Sequence, residues 1–144
     1  MSLHPGPKAR NLTIALIERA RSHPHAVALL LPDRVLSYRD LDQLVWKFAQ
    51  RLHDHGLKAN DTLGLAFSNQ LILVLAVLGA IRLGATVFSI PHSSTAVQQQ
   101  SMAEQARITM LATDLPGPIG SQRPAKVIRV DTTWGSTPLS ADAA

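Results

Sequence analysis

The side chains best suited to chemistry in this sequence are its six histidines, four of which lie two residues apart in pairs. The pairs are His23 with His25 and His53 with His55. Residues two apart on a helix point to different faces, so neither pair presents two imidazoles to one metal ion. The sequence has no cysteine, and no carboxylate is placed to complete a tetrahedral zinc shell. We therefore predict no metal site, and expect the second pair to lie at a helix end, where imidazolium complements the dipole.

Phosphate-binding and nucleophile motifs are the next candidates. Neither G-x-x-x-x-G-K-[ST] nor G-x-G-x-x-G occurs, and no serine lies in a G-x-S-x-G elbow. Ser93 or Ser94 is expected to cap a helix, because helix N-caps prefer serine. Asp40 and Asp61 are expected to be cap and turn residues rather than a pair of catalytic carboxylates. The residues therefore predict no catalytic, cofactor-binding or metal-binding residue in this segment, and no cofactor bound by it alone.

The elements that would position any site are organised around one hydrophobic run, residues 69–91. Eleven consecutive apolar or small residues, 71–81, are followed by a single charge, Arg82. One interpretation is a membrane span over 71–90, which reaches span length. A charge in mid-span is costly, however, and Gly84 and the β-branched second half fit a continuous helix poorly. We therefore predict no membrane span.

The alternative interpretation is two elements, a helix over about 69–83 and a strand over 85–90. Ser68 or Asn69 would cap the helix and Gly84 would end it. A helix that is apolar nearly all round is expected to be buried. With a preceding strand at 62–67, the segment predicts a right-handed β-α-β crossover within a parallel sheet.

The remaining periodicity completes an α/β fold with an open, mostly parallel sheet, helices on both faces and a short N-terminal hairpin. The further elements expected are a helix at 11–22, hairpin strands at 27–31 and 35–37, a helix from Ser37 with a Ser37–Asp40 capping box, a helix ending near 106, and strands at 108–112 and 127–130. We expect a flexible tail at 1–10, one α/β domain at 11–130, and a tail or linker at 131–144.

Composition narrows the class of partner. Net charge is +4 and the sequence pI is near 10.1, but no window holds a run of Lys or Arg, and aromatic residues are few. We therefore predict a solvated basic surface and no nucleic-acid partner. The absence of cysteine and of an apolar N-terminal h-region favours a reducing, cytoplasmic setting without a secretory signal.

Two segments carry a resemblance to a known family. The segment LSYRDL (36–41) resembles the first core motif of the adenylate-forming, or AMP-binding, enzymes, and AIRLGATVFSIP (80–91) resembles the second. That family includes acyl-CoA synthetases and the adenylation domains of peptide synthetases. Further landmarks in the family order are HPHAVA (23–28), Gly56, Asp61 and Asn69, so the resemblance covers about 11–131. Asn60 and Ser89 depart from the family pattern, in which Gly and Pro are usual, as does Pro91-His92, where Asn/Asp-Pro is usual.

The resemblance implies the N-terminal part of a ligase that activates a carboxylate with ATP and Mg²⁺. It also implies that the phosphate loop and the catalytic lysine lie beyond the region that this sequence resembles, so we expect the chain to be inert alone. Its partner would be the remainder of such an enzyme, or a second copy. The alternatives are a stand-alone scaffold domain that pairs through a sheet edge or an apolar surface, and a small-ligand binder using the strand ends near Ser68 and Pro91.

Overall fold

The hydrophobic run at the centre of the sequence folds as one helix and one strand of an α/β domain. The computed structural model describes residues 6–91, 93–115 and 126–135. The elements in chain order are α1 (Gly6–Ser22), β1 (Val27–Leu30), β2 (Val35–Ser37), α2 (Tyr38–Asp54), β3 (Thr62–Ala66), α3 (Gln70–Arg82), β4 (Thr86–Ser89), α4 (Ala96–Ala106), β5 (Met110–Thr113), β6 (Lys126–Arg129) and a 3-10 helix (Thr132–Gly135).

The sheet has four described strands in the order β4-β3-β5-β6, and every described neighbour pair is parallel. The register places Gly64 of β3 beside Phe88 of β4 and Leu111 of β5. β1 and β2 form a separate antiparallel pair. The predicted fold class, an open parallel sheet with an N-terminal hairpin, is therefore confirmed.

Both faces of the sheet are covered by helices. One core cluster joins Leu63 and Leu65 of β3 to buried side chains of α2 and α3. A second, smaller cluster lies on the opposite face, where Ala66 and Leu111 pack with Met102 of α4. The two clusters alternate along each strand because successive strand residues point to opposite faces. Helices on both faces were predicted, and this arrangement confirms them.

α2 begins and ends at the residues that its sequence predicts. The amide of Asp40 donates to Ser37 Oγ at 3.0 Å, and the Asp40 carboxylate accepts from the amide of Ser37 at 3.3 Å, which forms the capping box. At the other end Gly56 has φ +105°. The amide of Leu57 donates to the carbonyl of Leu52 at 3.0 Å, which is the bond of a Schellman ending, and Leu57 is fully buried.

α3 has the predicted ends as well. The amide of Ile72 donates to Asn69 Oδ1 at 3.0 Å, so Asn69 rather than Ser68 is the cap. Gly84, with φ +87°, ends the helix, and the amide of Ala85 donates to the carbonyl of Ala80 at 3.0 Å. No helix in the described part of the chain is long and apolar enough to cross a membrane.

The burial of α3 is less complete than predicted. Its buried residues are Ile72, Leu75, Ala76, Gly79 and Ala80. Val74, on the other side of the helix, is 38% exposed. A helix that is apolar nearly all round is expected to be buried all round, but packing against the sheet and α2 buries one side fully and leaves the other partly exposed.

Two helix starts differ from the sequence predictions. α1 begins at Gly6, so residues 6–10, expected in a flexible tail, are helical. Pro7 is compatible with a first helical turn, because that position needs no amide donor. The cap of α4 is Thr95 rather than Ser93 or Ser94: Thr95 Oγ1 accepts from the amide of Gln98 at 3.1 Å, and Gln98 Oε1 accepts from the amide of Thr95 at 2.9 Å.

The start of the expected C-terminal tail is also packed on the domain. Trp134, in the 3-10 helix, is 7% exposed, and its ring lies 4.9 Å from that of Phe48. The guanidinium of Arg51 lies over the same ring, 4.8 Å from its centroid. A single helical turn has no periodicity to detect, so burial of one large side chain went unpredicted. The rest of the two expected tails, 1–5 and 136–144, lies outside the described residues.

The buried side of α3 supplies the first prediction. Ala80 is fully buried, so Ala80→Asp places an unpaired charge in the core and should lower the free energy of unfolding by more than about 4 kcal/mol. Val74→Asp, on the exposed side of the same helix, is the matched control and should cost less than about 1 kcal/mol. Urea denaturation measures both. Equal stability losses would show that the two sides of α3 are not differently buried.

Candidate functional site at the carboxyl end of the sheet

The carboxyl ends of the parallel strands are the first place to look for a site, because open α/β sheets bind ligands there. β3 runs into Ser68 and Asn69, β4 into Pro91, and β5 into Asp114. Ser68 and Pro91 were the residues predicted to lie near a small-ligand site. The structure brings Ser68 and Asn69 together with Asp114, which sequence reasoning did not single out.

Asp114 binds directly to the turn that starts α3. Its Oδ1 accepts a hydrogen bond from the amide of Ser68 at 2.8 Å, and its Oδ2 accepts from the amide of Asn69 at 3.0 Å. The hydroxyl of Ser68 lies 3.3 Å from Oδ2. A helix N-terminus attracts anions because its first amides are unsatisfied. In this domain the Asp114 carboxylate, which follows the neighbouring strand β5, accepts from the two amides just before α3.

The polar groups beside Asp114 are also satisfied within the chain. The hydroxyl of Thr113, fully buried, donates to the carbonyl of Ala66 at 2.6 Å and accepts from the amide of Leu115 at 3.0 Å. A guanidinium nitrogen of Arg129 donates to the carbonyl of Leu115 at 2.6 Å. The sequence signal for this network is the Thr113-Asp114 pair at the end of a short apolar strand, β5.

A second aspartate, Asp131, follows β6 and also accepts hydrogen bonds from a turn that begins a helix. Asp131 Oδ1 accepts from the amide of Thr133 at 2.9 Å and from its hydroxyl. The hydrogen bond from the Thr133 side chain, then that from its backbone, holds the pKa of Asp131 below its ordinary value, with a further contribution from the positive charge of Arg51. The carboxylate thus holds the first turn of the 3-10 helix through Thr133.

A groove of about 440 Å³ lies beside this edge of the sheet. Its wall is formed by the hairpin turn, the first turn of α3 and the 3-10 helix. The residues that line it are Leu31, Pro32, Asp33, Arg34, Asn69, Gln70, Leu71, Ile72, Thr132 and Gly135. Arg34 closes one side by donating to the carbonyl of Gly135 at 2.7 Å. One guanidinium nitrogen of Arg34 is thus bonded to the backbone of the 3-10 helix.

The histidines considered from sequence do not converge. His23 Nδ1 lies 2.9 Å from Ser22 Oγ, and His55 Nδ1 lies 2.8 Å from the carbonyl of Arg51. His53 lines a different groove on α2, of about 350 Å³. Within residues 6–91, 93–115 and 126–135 no three His, Cys, Asp or Glu side chains come together as a metal site would require.

The two aspartates considered as carboxylate candidates serve backbone turns. Asp40 forms the capping box of α2, and Asp61 Oδ2 accepts from the amide of Lys58 at 2.8 Å. Ser94 donates its amide to the carbonyl of Pro91 at 3.0 Å in the turn before α4. Asp40 and Asp61 therefore hold the start of α2 and the turn before β3, as the sequence predicts.

Asp114 supplies the second prediction. Asp114→Ala leaves the amides of Ser68 and Asn69 without their acceptor and should lower the free energy of unfolding by about 1–3 kcal/mol. Asp54→Ala, an exposed aspartate at the end of α2, should change it by less than about 0.5 kcal/mol. Thermal or chemical denaturation measures both, with hydrogen exchange at the two amides as a local readout. An Asp114→Ala variant as stable as Asp54→Ala would show that the carboxylate does not brace this edge.

Asp131 supplies a prediction about pH. Because its pKa is lowered in the folded chain, its contribution to stability is present above the ordinary value of 3.8 and is lost as pH falls through the lower folded value. The difference in unfolding free energy between the wild type and Asp131→Ala should therefore be constant near neutral pH and shrink under acid. Denaturant titrations at a series of pH values measure it. A difference that grows as pH falls would contradict the prediction.

Comparison with known proteins places the fold in a family. The family model described as "AMP-binding enzyme" matches residues 16–142. Among curated relatives, the nonribosomal peptide synthetase dtxS1 of Metarhizium robertsii is 32% identical over 88 residues, which is 61% of this chain and 1% of the relative. The chain spans between 1% and 12% of the length of the first curated relatives it matches.

Solved structures share the fold. O-succinylbenzoate coenzyme A synthetase (MenE) from Bacillus subtilis, in complex with AMP, superposes with a TM-score of 0.76 at 21% identity, covering 84% of this chain and 32% of the other. The N-terminal subdomain of Klebsiella oxytoca NpsA gives a TM-score of 0.76 at 18% identity, covering 86% of this chain and 32% of the other. The described fold is that found in the N-terminal subdomains of adenylate-forming enzymes.

Proposed function

This chain belongs to the AMP-binding enzyme family, and we propose that it forms the N-terminal part of an ATP-dependent ligase that activates a carboxylate as an acyl adenylate. The family match over most of the chain and the likeness to N-terminal subdomains support this role. The 144 residues correspond to about a third of those solved structures. Their contribution to such an enzyme would be a folded support for residues that lie outside this region.

The family match over residues 16–142 carries the proposal, and the position of the Asp114 carboxylate before α3 favours a supporting rather than phosphate-binding role for this segment. An ATP phosphate at this helix N-terminus would meet a negative charge and two amides that already have an acceptor. Stabilising charge on the α-phosphate requires preorganised positive donors and a cation. The described residues at this edge do not fit ATP phosphates, so we assign no catalytic or nucleotide-binding role to them. ATP and Mg²⁺ would be held by other parts of the enzyme.

A stand-alone scaffold that pairs with a second copy is the other candidate. The observation in its favour is apolar surface on the hairpin, where Val27, Leu30 and Val35 are each more than half exposed. Sedimentation over a range of concentrations distinguishes it, since a scaffold of this kind forms a dimer and the proposed enzyme part does not need one. The cytoplasm is the compartment we propose, on the absence of cysteine alone.

The proposed function predicts that the isolated chain does not activate acids. Carboxylate-dependent exchange of pyrophosphate into ATP should stay at background, at least about a thousand-fold below a full-length family member, because the groups that stabilise the transition state are elsewhere. B. subtilis MenE with its own acid is the positive control, and hydrogen exchange verifies that the assayed chain is folded. Robust exchange by the 144 residues would overturn the assignment of a purely supporting role.

A further inference from the structure

The outward face of the N-terminal hairpin carries an apolar patch formed by Val27, Leu30 and Val35. Their exposed fractions are 57%, 78% and 51%. Leu30 and Val35 are direct cross-strand partners, so their side chains lie side by side. A single exposed aliphatic residue is ordinary in a soluble protein, whereas three on one face of a two-stranded sheet form a surface.

A β-bulge explains why the three share a face. The register shifts between Val27 and Leu29, so that Val27 pairs with Ser37 while Leu29 pairs with Leu36. Along β2, Val35 is 51% exposed on the outward face, whereas Leu36 points into the core and is 2% exposed. Val27 therefore faces outward with Leu30, three positions on, which regular alternation would not allow. The bulge adds a third apolar side chain to the outward face.

The other face of the hairpin is used differently. Ala28 and Leu29, the two residues between the outward pair on β1, pack against the main core cluster. The hairpin is not joined to the four-stranded sheet, and a two-stranded hairpin with one open apolar face is marginal by itself. Within the described residues, the inward face therefore packs on the core, whereas no element buries the outward face.

We propose that the patch of Val27, Leu30 and Val35 is the docking surface for an apolar segment of the rest of the AMP-binding domain. The inference rests on the proposed function and names a surface for it. The NpsA N-terminal subdomain is about three times as long as the part this chain matches. About two thirds of such a subdomain lies outside the matched part, and packing against an uncovered apolar face would remove that hydrocarbon from water.

The size of the patch favours this occupant over a second copy. Three aliphatic side chains at these exposures present on the order of 300 Å² of apolar surface. A stable dimer of separate chains buries roughly 800 Å² per partner. A segment within the same domain needs far less area, because linkage gives it an effective concentration in the millimolar range or above. The patch is therefore suited to intradomain packing.

The test compares Leu30→Lys with Val97→Lys in the full 144-residue chain. Val97 is a matched control, since it is 79% exposed on α4 and Leu30 is 78% exposed, and each change adds one positive charge. The probe is the K. oxytoca NpsA N-terminal subdomain without its matched third, produced separately. The wild type and Val97→Lys should bind the probe equally, and Leu30→Lys should bind at least tenfold more weakly. All three isolated chains should melt at the same temperature.

A second measurement tests the proposal if the separately produced NpsA fragment does not fold. The chain replaces the matched third of the NpsA subdomain in one polypeptide, and hydrogen exchange is followed at residues 27–37. Exchange there should slow at least tenfold relative to the isolated chain, and Leu30→Lys should abolish the slowing. Unchanged exchange, binding that ignores Leu30→Lys, or a dimer of the isolated chain that Leu30→Lys dissolves would overturn the proposal. None of these results changes the outcome expected of the pyrophosphate exchange assay, so the docking surface and the proposed function are tested independently.

Discussion

The close approach of α3 to α2 is the constraint on which the rest of the domain depends. A Cβ at Gly79 would lie 3.1 Å from the backbone nitrogen of Ala49, so any side chain there would require the two helices to move apart by a few tenths of an ångström. Arg82 and Asp42 add an ion pair of 2.9 Å between the same helices. Because α3 also carries the chain from β3 to β4, its position on α2 fixes the two strands that begin the sheet. The C-terminal strands and the 3-10 helix then assemble on this unit, with Trp134 against Phe48.

Local signals in the sequence predicted much of this architecture. The Ser37–Asp40 box, Gly56 and Gly84 each have the role expected of them, because helix ends are decided by a few neighbouring residues. The parallel sheet followed from alternating helical and β-rich runs. What failed depends on contacts distant in sequence: the partial exposure of Val74 and the burial of Trp134 are set by elements many residues away. The other two differences lie at helix starts: α1 begins five residues before the expected Asn11, and the cap of α4 is Thr95, next to the expected Ser93 or Ser94.

At the candidate site too, the features set by neighbouring residues were predicted and those set by residues distant in sequence were not. The absence of a glycine-rich turn after β3 predicts no phosphate loop at that strand end, and there Asp114 accepts hydrogen bonds from the amides of Ser68 and Asn69. Asp114 itself could not be found from its own segment, because its partners lie 45 and 46 positions earlier in the chain and meet it only through the pairing of β3 with β5. The resemblance to the AMP-binding family rested on short motifs that occur in the family's order along the chain. Several of their residues, such as Gly56, Asp61 and Asn69, form helix ends and turns in this fold. The chain therefore combines a clear family assignment with a strand edge at which Asp114 holds the turn before α3.

The central claim is that the carboxyl end of this sheet holds its own carboxylate in place of a nucleotide phosphate. The most direct measurement is an NMR titration of the isolated chain with ATP and Mg²⁺, following the amides of Ser68 and Asn69. We predict no saturable shift of either amide, because Asp114 already accepts their hydrogen bonds. Saturable shifts at both amides, abolished by excess AMP, would contradict the account and make this edge a nucleotide site.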